Sequence, residues 1–195
     1  MSMFLSLGIV VSMSAQKFNV VSGSPVQYRA KGGYHITFVS QDLVIGKFPS
    51  EQSYVDYMIE QCNAIKPDSG AVWAHEWQSA TNELYKPKFM TLFNKHSLMG
   101  HGYISPGDHK YQLEVDTRYI NPGGQMVNGR KSPARLEVQV TIRHATGDIE
   151  PLVLEITKIK GVETAMPHTP MSDVQRISQG YAKCAKELAK YLSKW

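Results

Sequence analysis

The stretch YQLEVDTRY, residues 111–119, alternates apolar or aromatic side chains with polar ones at every second position. A second stretch, LEVQVTIR at residues 136–143, repeats this alternation. Successive side chains of a β-strand point to opposite faces of a sheet, so a period of two predicts strands with one face in a core and the other in water. The turn-forming residues Ala145–Asp148 lead to a third predicted strand over Leu152–Lys160. Together these strands predict an antiparallel meander.

The last predicted element is a helix that begins beside Ser172. Ser172 and Gln175 have the spacing of a capping box, in which the hydroxyl and the amide each satisfy a backbone N–H of the first turn. Asp173 adds a negative charge at the positive end of the helix dipole. Apolar residues then recur at intervals of four and three: Ile177, Tyr181, Cys184, Leu188, Tyr191 and Trp195. This stripe is predicted to pack on the apolar face of the sheet.

The first half of the chain also predicts strands and helices. Residues 18–21 and 34–45 are rich in β-branched and aromatic residues and are predicted to form an N-terminal strand pair. Ser50 is a favourable N-cap for a first helix, and a second helix is predicted to begin at 68–70 and to end or kink at Pro87. The sequence therefore predicts an α+β fold, with an antiparallel or mixed sheet, helices packed on one face and a long C-terminal helix.

Trp73 and Trp77 lie one turn apart in the second predicted helix. Two tryptophans at this spacing can form a box for a ligand, but they more commonly pack in a core. We therefore predict that both belong to the core.

Residues 1–16, MSMFLSLGIVVSMSAQ, contain no charged side chain and end with small residues before Gln16. A short apolar core of about 7 to 15 residues followed by a small residue is the pattern of a secretory signal. We predict a signal peptide over residues 1–15 and a single α+β domain over 16–195, in a periplasmic, outer-surface or secreted location. The apolar run is shorter than the roughly 20 residues of a membrane-spanning helix, so no transmembrane span is predicted. The alternative is an N-terminal strand or a buried helical turn.

The composition is that of a soluble globular protein, with 42% hydrophobic and 19% charged residues. A net charge of +4 gives a mild preference for anionic surroundings such as a membrane face or a polysaccharide. Nucleic-acid binding would need Lys and Arg clustered on one face and is not predicted. The sequence contains no nucleophile elbow and no glycine-rich phosphate loop, so we predict neither an enzyme nor a bound cofactor.

Two cysteines, Cys62 and Cys184, are present. In an oxidising compartment they could pair. Each also occupies an apolar position of a predicted helix, where a thiol behaves as a small buried hydrophobe, and we favour that interpretation.

The loop over residues 121–133 is one candidate site for an anion or a partner. Asn128-Gly129 predicts a tight turn, and Arg130, Lys131 and Arg135 follow it. Backbone amides in a turn, together with guanidinium groups, can hold a phosphate or a carboxylated sugar. The alternative, which we favour, is a solvated hairpin tip.

The polar side of the C-terminal helix is a second candidate site. Lys183, Lys186 and Lys190 lie away from the apolar stripe and give this side a positive charge. Such a side can contact anionic lipid or a protein partner. The alternative is a basic face that contacts only solvent.

A metal-binding protein or metallohydrolase is the competing functional class. His96 and His101 flank a short segment that contains glycine, and Asp108 and His109 follow shortly after. Imidazoles and a carboxylate are ligands that zinc or copper uses, and a flexible loop could bring them together. His101 comes five positions after His96, whereas helical metal pairs of the HExxH type use four. Exposed loop histidines are therefore the favoured interpretation.

After the predicted strands, the chain passes through Gly161 into the capped helix, which reads Arg176-Ile177, Tyr181-Ala182-Lys183 and Lys186-Glu187-Leu188-Ala189-Lys190-Tyr191. This arrangement over residues 105–195 resembles small bacterial envelope domains of unknown function, related in architecture to CsgG and to the N-terminal domain of TolB. The resemblance implies an exported, non-catalytic domain that contacts other envelope components. The predicted function is therefore a secreted or periplasmic binding or assembly protein, with envelope proteins or anionic envelope components as partners.

Overall fold

A computed structural model describes residues 16–28, 31–124, 126–127, 130–161 and 171–194 of the chain. The predicted signal peptide over residues 1–15 lies outside the described residues. Within the described part, helices pack against one face of a seven-stranded mixed sheet. The predicted α+β class is therefore confirmed.

The described residues form the following strands and helices. The strands are β1 (Lys17–Ser22), β2 (Tyr34–Val39), β3 (Val44–Ile45), β4 (Gly102–Tyr103), β5 (Tyr111–Asn121), β6 (Met126–Val127), β7 (Arg130–Lys131), β8 (Arg135–His144) and β9 (Leu152–Lys160). The helices are α1 (Glu51–Ile65), α2 (Ser69–Ala80), a π-helical turn (Thr81–Tyr85), α3 (Lys86–His96) and α4 (Asp173–Leu192). A 3₁₀ turn also spans Pro25–Tyr28.

The predicted meander is confirmed and forms the centre of the sheet. Strand β8 pairs antiparallel with both β5 and β9, and β1 completes one edge antiparallel to β9. On the other side, β2 and β3 run parallel to β5, and β4 runs parallel to β2. Parallel strands need a long crossover, which α1, α2 and α3 provide between β3 and β4. Strands β6 and β7 form a separate small hairpin.

The predicted N-terminal strand pair is wrong, because β1 and β2 lie on opposite sides of the meander. Strand β1 is mostly exposed, as suits an edge, and its Phe18 ring stacks on Tyr191 of α4 with ring centroids 4.4 Å apart. Strand β2 places Tyr34 and Ile36 fully in the core. Neighbouring segments usually pair, but here the larger apolar surface of β2 is buried beside β5.

Helix α4 covers the apolar face of the meander. Its capping box is confirmed: the Gln175 backbone N–H donates to Ser172 Oγ at 3.4 Å, and the Ser172 N–H donates to Gln175 Oε1 at 3.1 Å. Gly180 brings the helix close to β8, since a Cβ there would lie 2.7 Å from Leu136 Cδ1. The predicted stripe is buried at Ile177, Tyr181, Cys184 and Leu188. Trp195 lies outside the described residues.

Helices α2 and α3 form one continuous helix, with the π-helical turn between them. The predicted break at Pro87 is thus replaced by continued helix as far as His96. The wide turn is closed by the Lys86 N–H, which donates to the Thr81 carbonyl five residues earlier. Pro87 follows this wide turn directly, and because it has no backbone N–H it cannot donate the next hydrogen bond of the continuous helix.

Both cysteines are free thiols in the structure. Cys184 is fully buried on the core side of α4, and this burial raises the pKa of its thiol to about 12. Cys62 is half-buried on α1. The interpretation of Cys184 as a buried hydrophobe is confirmed.

None of the helices in the described part of the chain combines the length and the apolar character needed to cross a bilayer.

Candidate functional site

Helices α3 and α4 run side by side in the same direction. Near their N-terminal ends, Lys88 Nζ lies 3.2 Å from Ser178 Oγ. Just beyond their C-terminal ends, the Leu98 backbone N–H donates to Ser193 Oγ at 3.2 Å. The negative ends of two helix dipoles therefore meet at one end of the molecule, where they favour positive side chains.

Positive side chains from both helices gather at this end and form what we call the lysine surface, defined by Lys95, His96, Lys186 and Lys190. Lys95 and His96 belong to the last turn of α3. Lys186 and Lys190 lie one turn apart on α4. The sequence predicted the α4 members, and the packing of α3 beside α4 adds the other two.

The electrostatics of His96 show that these charges converge. Partial burial lowers the pKa of His96, and the positive charges of Lys186, Lys190 and Lys95 lower it further. The Glu187 carboxylate acts in the opposite direction. At neutral pH, the imidazole is therefore mostly uncharged inside a positive field.

Glu187 is the acidic group next to the lysine surface. Its Oε1 lies 3.5 Å from Lys183 Nζ and 3.7 Å from Lys190 Nζ. Exposed ion pairs of this kind are weak and are easily exchanged for another anion. The pairs therefore leave Lys190 available to a partner, while Lys183 lies further back along α4, on the helix face predicted to be basic.

Leu98 adds an apolar side chain beside the lysine surface. It is 76% exposed and lies next to the C-terminal end of α4, where its N–H is bound by Ser193. An exposed apolar side chain next to clustered lysines is typical of surfaces that contact a membrane interface.

The predicted loop site is only partly within the described residues. Asn128-Gly129 lies outside them, and the backbone of Arg130 and Lys131 forms β7 opposite β6. Arg135 is exposed at the start of β8, where it pairs with Lys160 of β9. The structure therefore places Arg135 in the main sheet rather than in the small hairpin.

The loop histidines lie in different surroundings. His96 ends α3, whereas the His101 carbonyl accepts a hydrogen bond from the Tyr34 N–H at 2.9 Å. The His109 ring stacks on Tyr103 with centroids 4.6 Å apart, and its Nε2 lies 3.2 Å from the Ser105 carbonyl.

Among residues 16–28, 31–124, 126–127, 130–161 and 171–194, no three His, Cys, Asp or Glu side chains are grouped so that they could hold a metal ion. The predicted set of His96, His101, Asp108 and His109 is thus not brought together. Asp108 lies exposed in the loop.

A small pocket opens beside α2 and the π-helical turn. Its volume is about 50 Å³. The aromatic and polar side chains that line it include Phe38, Glu51, Trp77, Tyr85, Thr117 and Tyr181. They come from β2, α1, α2, the π-helical turn, β5 and α4.

The polar groups of this pocket are held by short hydrogen bonds. The Trp77 indole N–H donates to Glu51 Oε1 at 2.8 Å, and the Thr117 and Tyr181 hydroxyls lie 2.7 Å apart. The Tyr85 ring stacks on Tyr181 with centroids 4.9 Å apart. Burial raises the pKa of both phenols well above the usual value, so both remain protonated at neutral pH.

Trp77 is 5% exposed, which confirms the prediction that it belongs to the core. Its indole N–H nevertheless faces a carboxylate at the pocket. Sequence reasoning missed this pocket, because its lining residues come from five separate segments with no common motif. The spacing of Trp77 and Glu51, which lie on different helices, carries no local signal.

Comparison of the chain with protein-family models and with curated proteins finds no match. Among solved structures, the PelC dodecamer from Paraburkholderia phytofirmans has a TM-score of 0.40, and a methionine variant of it has 0.41. Both are 12% identical in sequence, over 89% of this chain and 97% of the PelC chain. These values identify neither a family nor a function for the chain.

Proposed function

We propose that the protein is a non-catalytic binding or assembly component of the bacterial cell envelope that acts outside the cytoplasm. The uncharged apolar stretch at residues 1–16 supports export. The resemblance of residues 105–195 to envelope domains supports the same class of function. The observation that carries the proposal is the lysine surface at the shared end of α3 and α4.

The lysine surface has the chemistry to bind the anionic face of a membrane. Burial lowers the pKa of His96, and the charges of Lys186, Lys190 and Lys95 lower it further, which places these lysines around one side chain. Each lysine held near an anionic leaflet contributes about 1 kcal/mol of attraction. The exposed Leu98 side chain adds an apolar contact beside these charges. A phosphate-rich lipid surface is therefore the partner that this end of the molecule fits.

Co-sedimentation of the full chain with lipid vesicles tests the proposal. We expect binding to vesicles that contain phosphatidylglycerol, weaker binding as salt rises, and little binding to phosphatidylcholine vesicles, because the attraction is between lysines and lipid phosphates. The double variant Lys186→Gln, Lys190→Gln should lose this preference.

The matched control removes two lysines from the other side of the molecule. Lys17 on β1 and Lys160 on β9 are exposed, and each is the strand neighbour of a residue that packs on the helix side of the sheet, Phe18 or Ile159, so both side chains lie on the opposite face of the sheet. The Lys17→Gln, Lys160→Gln variant changes net charge equally and should bind like the unaltered chain. Equal loss in both double variants would reject the lysine surface as the binding site. Binding to soluble alginate without binding to anionic vesicles would reject the membrane as the partner.

A further inference from the structure

The pocket beside α2 and the π-helical turn has one charged side chain in its lining. Among the described residues that line it, Glu51 carries the only formal charge, and Glu51 is exposed to solvent. Its Oε1 accepts from the Trp77 indole N–H at 2.8 Å, whereas Oε2 accepts no hydrogen bond within the described residues. The carboxylate is therefore held at the pocket with one oxygen free to accept from a bound group.

The electrostatic potential at the pocket is negative. Burial is the main cause of the raised pKa of Tyr85, and the charges of Asp173 and Glu51 raise it further. Burial also raises the pKa of Tyr181, and the charges of Glu51 and Asp116 act in the same direction. The chain as a whole carries a net charge of +4, so this negative charge is local. It favours a bound cation and opposes an anion.

Aromatic rings form much of the lining. The rings are those of Phe38, Trp77, Tyr85 and Tyr181. The face of an aromatic ring carries a partial negative charge, so it attracts an ammonium group placed over it. Lys86, which lies outside the lining, already has its Nζ 6.0 Å from the centroid of the Phe38 ring. One ring of the pocket thus contacts a cation of the protein itself at a distance typical of such interactions.

The backbone beside the pocket is also irregular. Thr81 and Tyr85 begin and end the π-helical turn, and both residues line the pocket. Single π-helical turns inside α-helices are rare and occur frequently at functional sites. The irregular turn and the negative, aromatic lining therefore coincide at one place.

The hydrogen-bonding groups of the lining favour a ligand that only donates. The Trp77 indole N–H is already bound to Glu51. The hydroxyls of Thr117 and Tyr181, 2.7 Å apart, are paired with each other. A primary ammonium group has three N–H donors and needs no donor from the protein, whereas an alcohol of the same size offers one donor and no charge. The pocket should therefore distinguish an amine from an alcohol.

We propose that this pocket binds the ammonium group of a short primary alkylamine, with the Glu51 carboxylate as its hydrogen-bond acceptor and the aromatic rings as the surface that it contacts. A water molecule needs about 10–15 Å³ on the same measure of volume, so a pocket of about 50 Å³ admits an ammonium group with one or two carbon atoms. Ethylammonium has this size, and a ligand so small reaches a Kd of roughly 1 mM. The pocket and the lysine surface attract opposite charges, so this ligand is separate from the proposed membrane partner.

The test is a titration of the ¹⁵N-labelled full chain with ethylammonium chloride at neutral pH, followed by NMR. The reporter is the Trp77 indole N–H, which donates to Glu51 at the pocket, and a Trp77→Phe variant assigns its signal. We expect a saturable shift of this signal that sodium chloride at the same ionic strength does not cause. Ethanol matches ethylammonium in size but carries no charge, so it should cause no saturable shift at the same concentrations.

Three variants test the parts of the site separately. Glu51→Gln keeps the shape of the side chain and an acceptor for Trp77 but removes the charge, so it should weaken ethylammonium binding by about tenfold. Phe38→Leu removes one ring and keeps an apolar side chain, so it should weaken binding by about threefold. Lys86→Gln removes a positive charge near the Phe38 ring that repels the ligand, so it should strengthen binding by about twofold. A gain of affinity does not arise from damage to the fold.

Two control variants separate the pocket from general effects on charge and fold. Glu60 lies exposed on α1, the helix that carries Glu51. Phe18 is a half-buried ring on β1 that stacks on Tyr191. Neither Glu60 nor Phe18 lines the pocket. Glu60→Gln and Phe18→Leu should therefore bind ethylammonium like the unaltered chain, and the amide spectrum of each variant checks its fold.

Three results would overturn the proposal. The first is a Trp77 signal that ethylammonium chloride shifts no further than sodium chloride does. The second is a saturable shift by ethanol as large as the shift by ethylammonium, which would show that charge plays no part. The third is equal ethylammonium binding by the Glu51→Gln variant and the unaltered chain. Each outcome is independent of vesicle binding, because none of the variants changes a residue that defines the lysine surface.

Discussion

The hydrogen bond between Thr117 and Tyr181 joins β5 to α4 and can be measured by a double-mutant cycle. The two hydroxyl oxygens lie 2.7 Å apart, and the residues are 2% and 6% exposed. Tyr181→Phe and Thr117→Val each remove one hydroxyl and keep the shape of the side chain. The remaining hydroxyl is then buried without its partner.

The expected magnitudes follow from burial. A buried hydroxyl that loses its partner costs about 1–3 kcal/mol. Both residues also line the pocket, where water can replace the lost partner in part, so each single variant should lose about 1 kcal/mol. In the double variant no hydroxyl is left unpaired, and the total loss should be no larger than that of one single variant. The coupling energy is therefore about 1 kcal/mol.

The assay is urea unfolding at neutral pH, followed by circular dichroism. Burial raises the pKa of Tyr181, partly offset by the hydrogen bond to Thr117, so the phenol stays neutral throughout. The control is Tyr57→Phe, which removes the hydroxyl of an exposed tyrosine on α1 and should leave stability unchanged. Losses that add in the double variant, within about 0.3 kcal/mol, would refute the hydrogen bond.

Three further predictions concern titratable groups. In the native protein, a maleimide should label Cys62 and leave Cys184 unmodified, since Cys184 is buried and its pKa is raised to about 12; labelling of Cys184 first, detected by mass spectrometry, would contradict the packing of α4. Asp116 has a raised pKa through burial, only partly offset by Arg118, so its contribution to stability is present below pH of about 4 and lost as the pH rises through the raised pKa. In urea unfolding, the free energy of unfolding of Asp116→Asn relative to that of the unaltered chain should therefore increase as the pH rises. A difference in this free energy that does not change with pH would reject the prediction. His96 gains a proton as the pH falls below its lowered pKa. Binding to phosphatidylglycerol vesicles should therefore strengthen in acid for the unaltered chain, and strengthen less for His96→Gln. Equal strengthening in both would show that His96 does not take part in the binding.

The elements that the sequence predicted correctly are those with local signals. Helix α4 has its cap at Ser172 and a regular apolar stripe, and β5, β8 and β9 have strict alternation. These signals need only a few neighbouring residues. They were sufficient for the fold class and for the meander.

The errors arose where partners are distant in the chain. Nothing within β1 indicates that it pairs with β9, which lies more than a hundred residues later. In the same way, Lys186 and Lys190 were predicted as a basic face, but the contribution of Lys95 and His96 depends on α3 packing parallel to α4. The pocket is the extreme case, since its lining comes from five separate segments.

The vesicle affinity of the Lys186→Gln, Lys190→Gln variant measures whether the lysine surface binds anionic membranes. Two lysines at about 1 kcal/mol each correspond to a partition coefficient about 30-fold lower on phosphatidylglycerol vesicles. The Lys17→Gln, Lys160→Gln control should stay within about twofold of the unaltered chain, because neither residue lies at the surface that we assign. Equal affinities for the two double variants would show that the lysine surface does not bind the membrane.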